Sequence, residues 1–116
     1  MKNKEKLRER FMRDPLPRRL GGLAATLARI SSSARHADDP AIVAEQLDEA
    51  KHLIEWTAAD AAPEVAAELV QTQRLITLWQ KAWENASKDV YQRIILSTQA
   101  KEWADRTLEA SGLLAN

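Results

Sequence analysis

Glu49 and His52 form the pattern in this sequence that comes nearest to a metal site, because di-iron helical bundles use Glu-x-x-His ligands. Such a site needs a second motif of the same kind and two further inward carboxylates. The chain has only two histidines, and the other, His36, is preceded at that spacing by Ser33. On a helical wheel, His52 lies opposite the apolar stripe of its helix. The pattern therefore predicts a solvated histidine, with no metal and no cofactor.

Ser32 and His36 are one helical turn apart, as a nucleophile and its base would be. Catalysis would also need an orienting carboxylate, an oxyanion hole and a pocket. Serines near a helix end more often bond to local backbone groups. The absence of cysteine excludes a thiol nucleophile, a disulfide and a cysteine-zinc site. We therefore predict that the protein is not an enzyme.

The elements that must position these residues are amphipathic helices, since apolar residues recur at three- and four-residue spacing along most of the chain. Breaks near Asp39, Asp60 and Ser87, each a candidate helix cap, and a stop at Gly112 divide the pattern into four. Connections of a few residues force consecutive helices to run antiparallel. We predict an all-α, antiparallel up-down four-helix bundle over residues 15–116. Its helices should cover about 16–36, 40–58, 62–86 and 88–111.

Residues 1–14 form a separate basic arm. Residues 1–20 carry eight basic and three acidic groups, a net charge of +5 in a chain whose formal charge is zero. Leu7 and Phe11 are one turn apart, but the arm has little other apolar surface with which to fold. We expect it to be disordered or to form a short helix. Its candidate contacts with a partner are Phe11, Arg8, Arg10 and Arg13.

Three interpretations of the arm stay open. It is a solvated tail, or it docks on an acidic protein, or it binds nucleic acid or an anionic membrane. Basic side chains attract phosphates without sequence specificity. The rest of the chain offers no basic recognition helix to add specificity.

The four tryptophans divide into two pairs. Trp79 and Trp83 lie on the main stripe of the third long helix, which we predict to be the best-buried strip. Trp56 and Trp103 lie on flanking stripes, where they cover the core or anchor a partner or a second copy. The last helix carries a wider apolar arc than one side of a bundle needs. The candidate partner contacts in the bundle are therefore Trp56, Trp103, Leu53 and Leu96.

Several stretches resemble a family of short helical proteins from cyanobacteria that have no assigned function. The stretches are residues 19–30, 54–58 and 68–73, then Trp79, and the ending 103–114. The resemblance covers about residues 16–114 and implies a cytoplasmic, non-enzymatic protein. The family has no catalytic residues to carry over to this sequence.

Three functional hypotheses follow. The leading one is a non-catalytic helical bundle that acts through protein–protein contact, with a homodimer as one form. The alternatives are a nucleic-acid accessory protein that uses the basic arm, and a small-ligand carrier or enzyme with a site inside the bundle. The start of the chain lacks the apolar core of a signal peptide, and no run approaches the roughly 18 apolar residues of a membrane span. We therefore predict a cytoplasmic location and no transmembrane segment.

Overall fold

The structure is a computed structural model that describes residues 3–114. This part of the chain is all-helical, as predicted, and contains five helices. The four long helices begin and end within two residues of their predicted bounds, and the arm contributes the fifth. Residues 1–2 of the arm and 115–116 of the predicted bundle lie outside the described residues. The helices are α1 (Lys4–Arg13), α2 (Leu16–Ala34), α3 (Pro40–Ala58), α4 (Pro63–Ala86) and α5 (Val90–Ser111).

Two predicted helix boundaries, at Asp39 and Gly112, are confirmed. The Asp39 carboxylate accepts a hydrogen bond from the backbone N–H of Ile42 at 3.3 Å, and Pro40 occupies the first position of α3. Gly112 has a φ of 75°, in the left-handed region that favours glycine, and ends α5. Both signals act within one helical turn, so the sequence reveals them directly.

The caps predicted at Asp60 and Ser87 lie elsewhere. Ala62 precedes α4 and has no polar side chain with which to cap it. The Asp60 carboxylate accepts a hydrogen bond from Arg19. Ser87 follows the end of α4. The carboxylate of Asp89 caps α5 by accepting a backbone N–H bond two residues further on, at 2.9 Å. At Asp60 the local pattern does not contain the distant arginine that engages the carboxylate, whereas the Asp89 cap is a local bond that lies two residues beyond the predicted position.

The helix α2 lies at the centre of the fold. It packs most extensively against α5 and also against α3, whereas α4 and α5 make only a slight contact. Nine residues of α2 are buried, against five in α4. The prediction that the third long helix is the best-buried strip is therefore wrong. The reason is that α4 has one extensive neighbour, α3, and α2 has two.

Hydrogen bonds between side chains and distant residues show how the helix ends meet. Arg19, near the start of α2, donates to the carboxylate of Asp60, just beyond the end of α3, at 2.9 Å. The indole N–H of Trp83, near the end of α4, donates to the carbonyl oxygen of Pro40, at the start of α3, at 2.8 Å. Each bond thus brings the beginning of one helix close to the end of its neighbour.

The arm is a short helix packed on the rest of the molecule. Leu7 and Phe11 are partly buried against the core, and the ring centroids of Phe11 and Trp56 are 6.1 Å apart. Arg19 is only 7% exposed, and it donates to the carbonyl oxygens of Asp14 at 3.1 Å and Trp56 at 3.3 Å. These bonds satisfy a cation that would be costly to bury alone. They fix the junction between α1 and α2 on the end of α3.

Candidate functional site

The side chains predicted as partner contacts within the bundle lie in the core. Trp56, Trp103, Leu53 and Leu96 are all more than 90% buried. They have too little accessible surface to anchor a partner in this conformation. Of the two interpretations that the sequence left open for Trp56 and Trp103, the structure assigns them to the covering of the core.

The predicted contacts in the arm divide into one packed ring and three accessible cations. Phe11 is half-buried beside Trp56, so its ring is not free to stack on a base or to insert into a membrane. Arg8, Arg10 and Arg13 are exposed on α1. Glu5 and Glu9 lie on the same short helix, so the charge that α1 presents is of mixed sign.

His52 is less exposed than the helical wheel predicts. Its Nδ1 lies 2.8 Å from the carbonyl oxygen of Asp48, and its ring centroid lies 5.8 Å from that of Trp56. The side chain keeps 14% of its accessible surface, so the prediction of a solvated histidine is wrong. The reason lies on α3 itself, where Asp48 and Trp56, one turn to either side, contact the imidazole ring. Residues 3–114 contain no group of three or more metal-ligating side chains.

The serine that makes long-range contacts is Ser31, the neighbour of the residue considered as a nucleophile. The Ser31 hydroxyl donates to the carbonyl oxygen of Ser97 at 2.8 Å, and the Ser97 hydroxyl donates to the carbonyl oxygen of Ser31 at 2.7 Å. The Nε of Arg35 donates to the Ser97 hydroxyl at 3.0 Å. Ser32 and His36 are both exposed. This reciprocal pair joins α2 to α5 and is explained by packing.

The outer side of α5 is apolar over its first two turns. Tyr91 is 76% exposed, Ile94 is 50% exposed, and Val90 and Ile95 are each nearly half exposed. We call these four residues the α5 apolar face. Because they are spaced three and four residues apart, their side chains share the side of α5 that points away from the core. The sequence predicts an apolar surplus on the last helix and includes Val90 in it, whereas Tyr91, Ile94 and Ile95 were not predicted.

The second half of the same outer side is charged. Lys101 and Asp105 form an ion pair at 3.3 Å, and Glu102 and Arg106 form another at 2.6 Å. All four side chains are well exposed. Solvated i,i+4 pairs of this kind contribute little to stability, but they keep a helix surface in water. The α5 apolar face has no such cover.

A groove of about 110 Å³ lies between α4 and α5, where the two helices make their slight contact. Most of its lining surface is apolar. The polar part consists of two threonines, one glutamine and two charged side chains. We call it the α4–α5 groove. The lining residues are Val65, Glu68, Leu69, Gln71, Thr72, Leu75, Trp103, Arg106, Thr107 and Ala110.

Two polar groups on the α5 side of the α4–α5 groove lack a protein partner. The indole N–H groups of Trp79 and Trp83 donate at 2.7 and 2.8 Å. The indole N–H of Trp103 and the hydroxyl of Thr107 have no hydrogen-bond partner within residues 3–114, and neither atom is sealed from solvent, although both residues are more than 90% buried. The sequence did not predict these two groups, because a helical wheel gives the direction in which a side chain points but not the distance to the next helix.

Comparison with known proteins gives this chain no family. No protein-family model, no curated protein and no solved structure matches it. No helix within residues 3–114 is long and apolar enough to cross a membrane. The resemblance to the cyanobacterial helical proteins stays a prediction, so the function has to be argued from the surfaces described above.

Proposed function

We propose that this protein is a non-catalytic helical bundle that acts through protein–protein contact at the α5 apolar face. The observation that carries the proposal is the exposure of four neighbouring apolar side chains, with Tyr91 and Ile94 at their centre. Large contiguous apolar patches on soluble proteins commonly mark interaction sites. Tyrosine is also enriched among the residues that dominate interface energetics.

The scaffold that we propose for this contact is an antiparallel up-and-down bundle of α2 to α5, with α1 packed on one end. The bonds from Arg19 to Asp60 and from Trp83 to Pro40 support it, since each joins the start of one helix to the end of its neighbour. The short connections support it as well. A cytoplasmic location is part of the proposal and rests on the sequence.

The occupant that we propose for the α5 apolar face is a second copy of the chain. Its four residues carry no charge, so two copies can meet there without like-charge repulsion. Two-fold dimers with self-complementary interfaces are the commonest oligomers. Four residues are few beside the roughly 20–30 residues per side of a standard interface. We therefore expect a reversible dimer with a dissociation constant in the micromolar range, on the order of 10 μM.

Sedimentation equilibrium of the full chain tests this proposal through two matched substitutions. Ile94→Glu places a charge in the proposed interface and should weaken dimerisation at least about 30-fold, a loss of roughly 2 kcal/mol. Ile42→Glu makes the same change at a 44% exposed site on a different helix, α3, and should leave the dimer unchanged. A wild-type chain that stays monomeric at several hundred micromolar would end the self-association form.

A second function, contact with nucleic acid through α1, is favoured by the exposure of Arg8, Arg10 and Arg13. Binding would be electrostatic and would fall steeply with salt. Fluorescence anisotropy with a labelled duplex at two salt concentrations tests it. The triple substitution of these arginines by glutamine should abolish the binding, and no binding by the intact chain would exclude this function.

A further inference from the structure

We propose that the α4–α5 groove binds a small, uncharged, ring-sized organic molecule that carries a carbonyl or hydroxyl oxygen. The groove is distinct from the α5 apolar face, and the inference does not depend on dimerisation. It rests on the groove's size, on its unpartnered polar groups and on the charge at its rim.

The volume of the groove sets the size of the ligand. It is about 110 Å³, somewhat smaller than the ~150 Å³ apolar cavity that accepts benzene. Val65, Leu69, Leu75 and Ala110 supply an aliphatic lining, and Trp103 supplies an aromatic one. Because the groove is open to solvent on one side, a ring of about six carbon atoms can enter it and keep one edge exposed.

The unpartnered groups set the polarity of the ligand. The indole of Trp103 is a donor only, and the hydroxyl of Thr107 can donate or accept. Trp103 is 7% exposed and Thr107 is 6% exposed, but neither polar atom is sealed from solvent, and both residues line the groove. A ligand oxygen in the groove would take the place of solvent as a hydrogen-bond partner of these groups.

The rim sets the charge of the ligand. Glu68 and Arg106 line the groove, and together with Glu109 and Ala110 they line a depression that adjoins it. The Arg106 guanidinium is already paired with Glu102 at 2.6 Å, so the carboxylates of Glu68 and Glu109 have no matching cation there. A carboxylate ligand would meet like charges there. A neutral oxygen, in a ketone or an alcohol, avoids that repulsion.

The test uses cyclohexanone as the probe, titrated into the full-length ¹⁵N-labelled chain while the four indole N–H resonances are followed by NMR. We expect the Trp103 resonance to shift saturably, with a dissociation constant of about 1 mM for a ligand of seven heavy atoms. The resonances of Trp79 and Trp83 should stay in place, because those indoles already donate to protein oxygens.

Two controls separate the proposed site from weak, unspecific contact. Thr107→Val should weaken cyclohexanone binding about five- to tenfold, the loss of one neutral hydrogen bond. Thr77→Val, on α4 outside the groove, should leave the affinity unchanged, since its hydroxyl donates to the carbonyl oxygen of Gln73. Cyclohexanecarboxylate, a similar ring with a negative charge, should bind at least about tenfold more weakly than the ketone.

Several results would overturn the inference. One is the absence of a saturable Trp103 shift up to about 50 mM cyclohexanone, far above the expected dissociation constant. Equal shifts of all four indoles would indicate a solvent effect. Unchanged affinity in Thr107→Val, with its fold verified by the remaining resonances, would remove the hydrogen bond on which the choice of ligand rests.

Discussion

The helix α5 packs against two neighbours in different ways. Against α2 it makes its most extensive contact, which includes the reciprocally bonded Ser31 and Ser97. Against α4 it makes only a slight contact, and bulky Trp103 lines the groove that remains. Small side chains let helix axes approach, and large ones hold them apart. One seam of α5 therefore contributes stability, and the other leaves space that a ligand can fill.

The largest expected effect comes from replacing a leucine by alanine, once in the core and once along the α4–α5 groove. Leu96 of α5 is fully buried, whereas Leu75 of α4 lies half-buried along the groove. Leu96→Ala should lower the free energy of unfolding by about 3 kcal/mol, and Leu75→Ala by about 1 kcal/mol. Urea denaturation measures both. Equal losses would mean that the α4–α5 groove is packed as tightly as the core.

Replacing an alanine of α5 by leucine should lower stability in the core but not in the α4–α5 groove. Ala100→Leu, at a fully buried position of α5 in the core, should overpack it and cost about 2 kcal/mol. Ala110→Leu places the same side chain in the α4–α5 groove, where there is space, and should change stability by less than about 0.5 kcal/mol. It should also block cyclohexanone binding. Thermal denaturation checks the stabilities, and a costly Ala110→Leu would contradict the groove.

The reciprocal serine bonds should account for a smaller part of the α2–α5 seam. Ser97→Ala leaves the buried carbonyl oxygen of Ser31 without its donor, at a cost of about 1–2 kcal/mol. Ser31→Ala should cost a similar amount. The double variant should cost clearly less than the two single losses together, because both residues belong to one hydrogen-bonded unit. Additive losses in a double-mutant cycle would show that the two bonds act independently.

The smallest expected effect lies on the outer side of α5. Glu102→Gln removes one exposed ion pair with Arg106 and should change the free energy of unfolding by less than about 0.5 kcal/mol. Tyr91→Gln should also leave stability nearly unchanged, because the side chain is mostly in water. Only Tyr91→Gln should weaken dimerisation. Chemical denaturation and sedimentation of the two variants together distinguish a surface that serves contact from one that is merely solvated.

The bounds of the long helices could be predicted from the sequence, because the residues that begin and end them act on neighbouring residues. Prolines at helix starts, the Asp39 cap and the left-handed Gly112 all act within one turn. Asp60 shows where local reasoning fails, since a cation 41 residues away engages its carboxylate. The same limit applies to the prediction of whether α1 is ordered, because its packing depends on the contact of Phe11 with the distant Trp56.

The candidate sites were harder to predict than the helices. A helical wheel places Trp56 and Trp103 at flanking angles that are typical of surface residues. In the structure, Phe11 packs beside Trp56, and Trp103 lines the α4–α5 groove. The apolar surplus of the last helix was predicted, whereas its location at Tyr91 and Ile94 was not. Angle alone does not reveal which side of a wide apolar arc a neighbouring helix covers.

The most direct test of the proposed contact at the α5 apolar face uses the absence of cysteine from the chain. Ile94→Cys and Ile42→Cys each create a single thiol at a similarly exposed position. If the face joins two copies, mild oxidation should link Ile94→Cys into a covalent dimer at least about tenfold faster than Ile42→Cys, because dimerisation raises the local thiol concentration. Equal rates at the two positions would contradict the proposed contact.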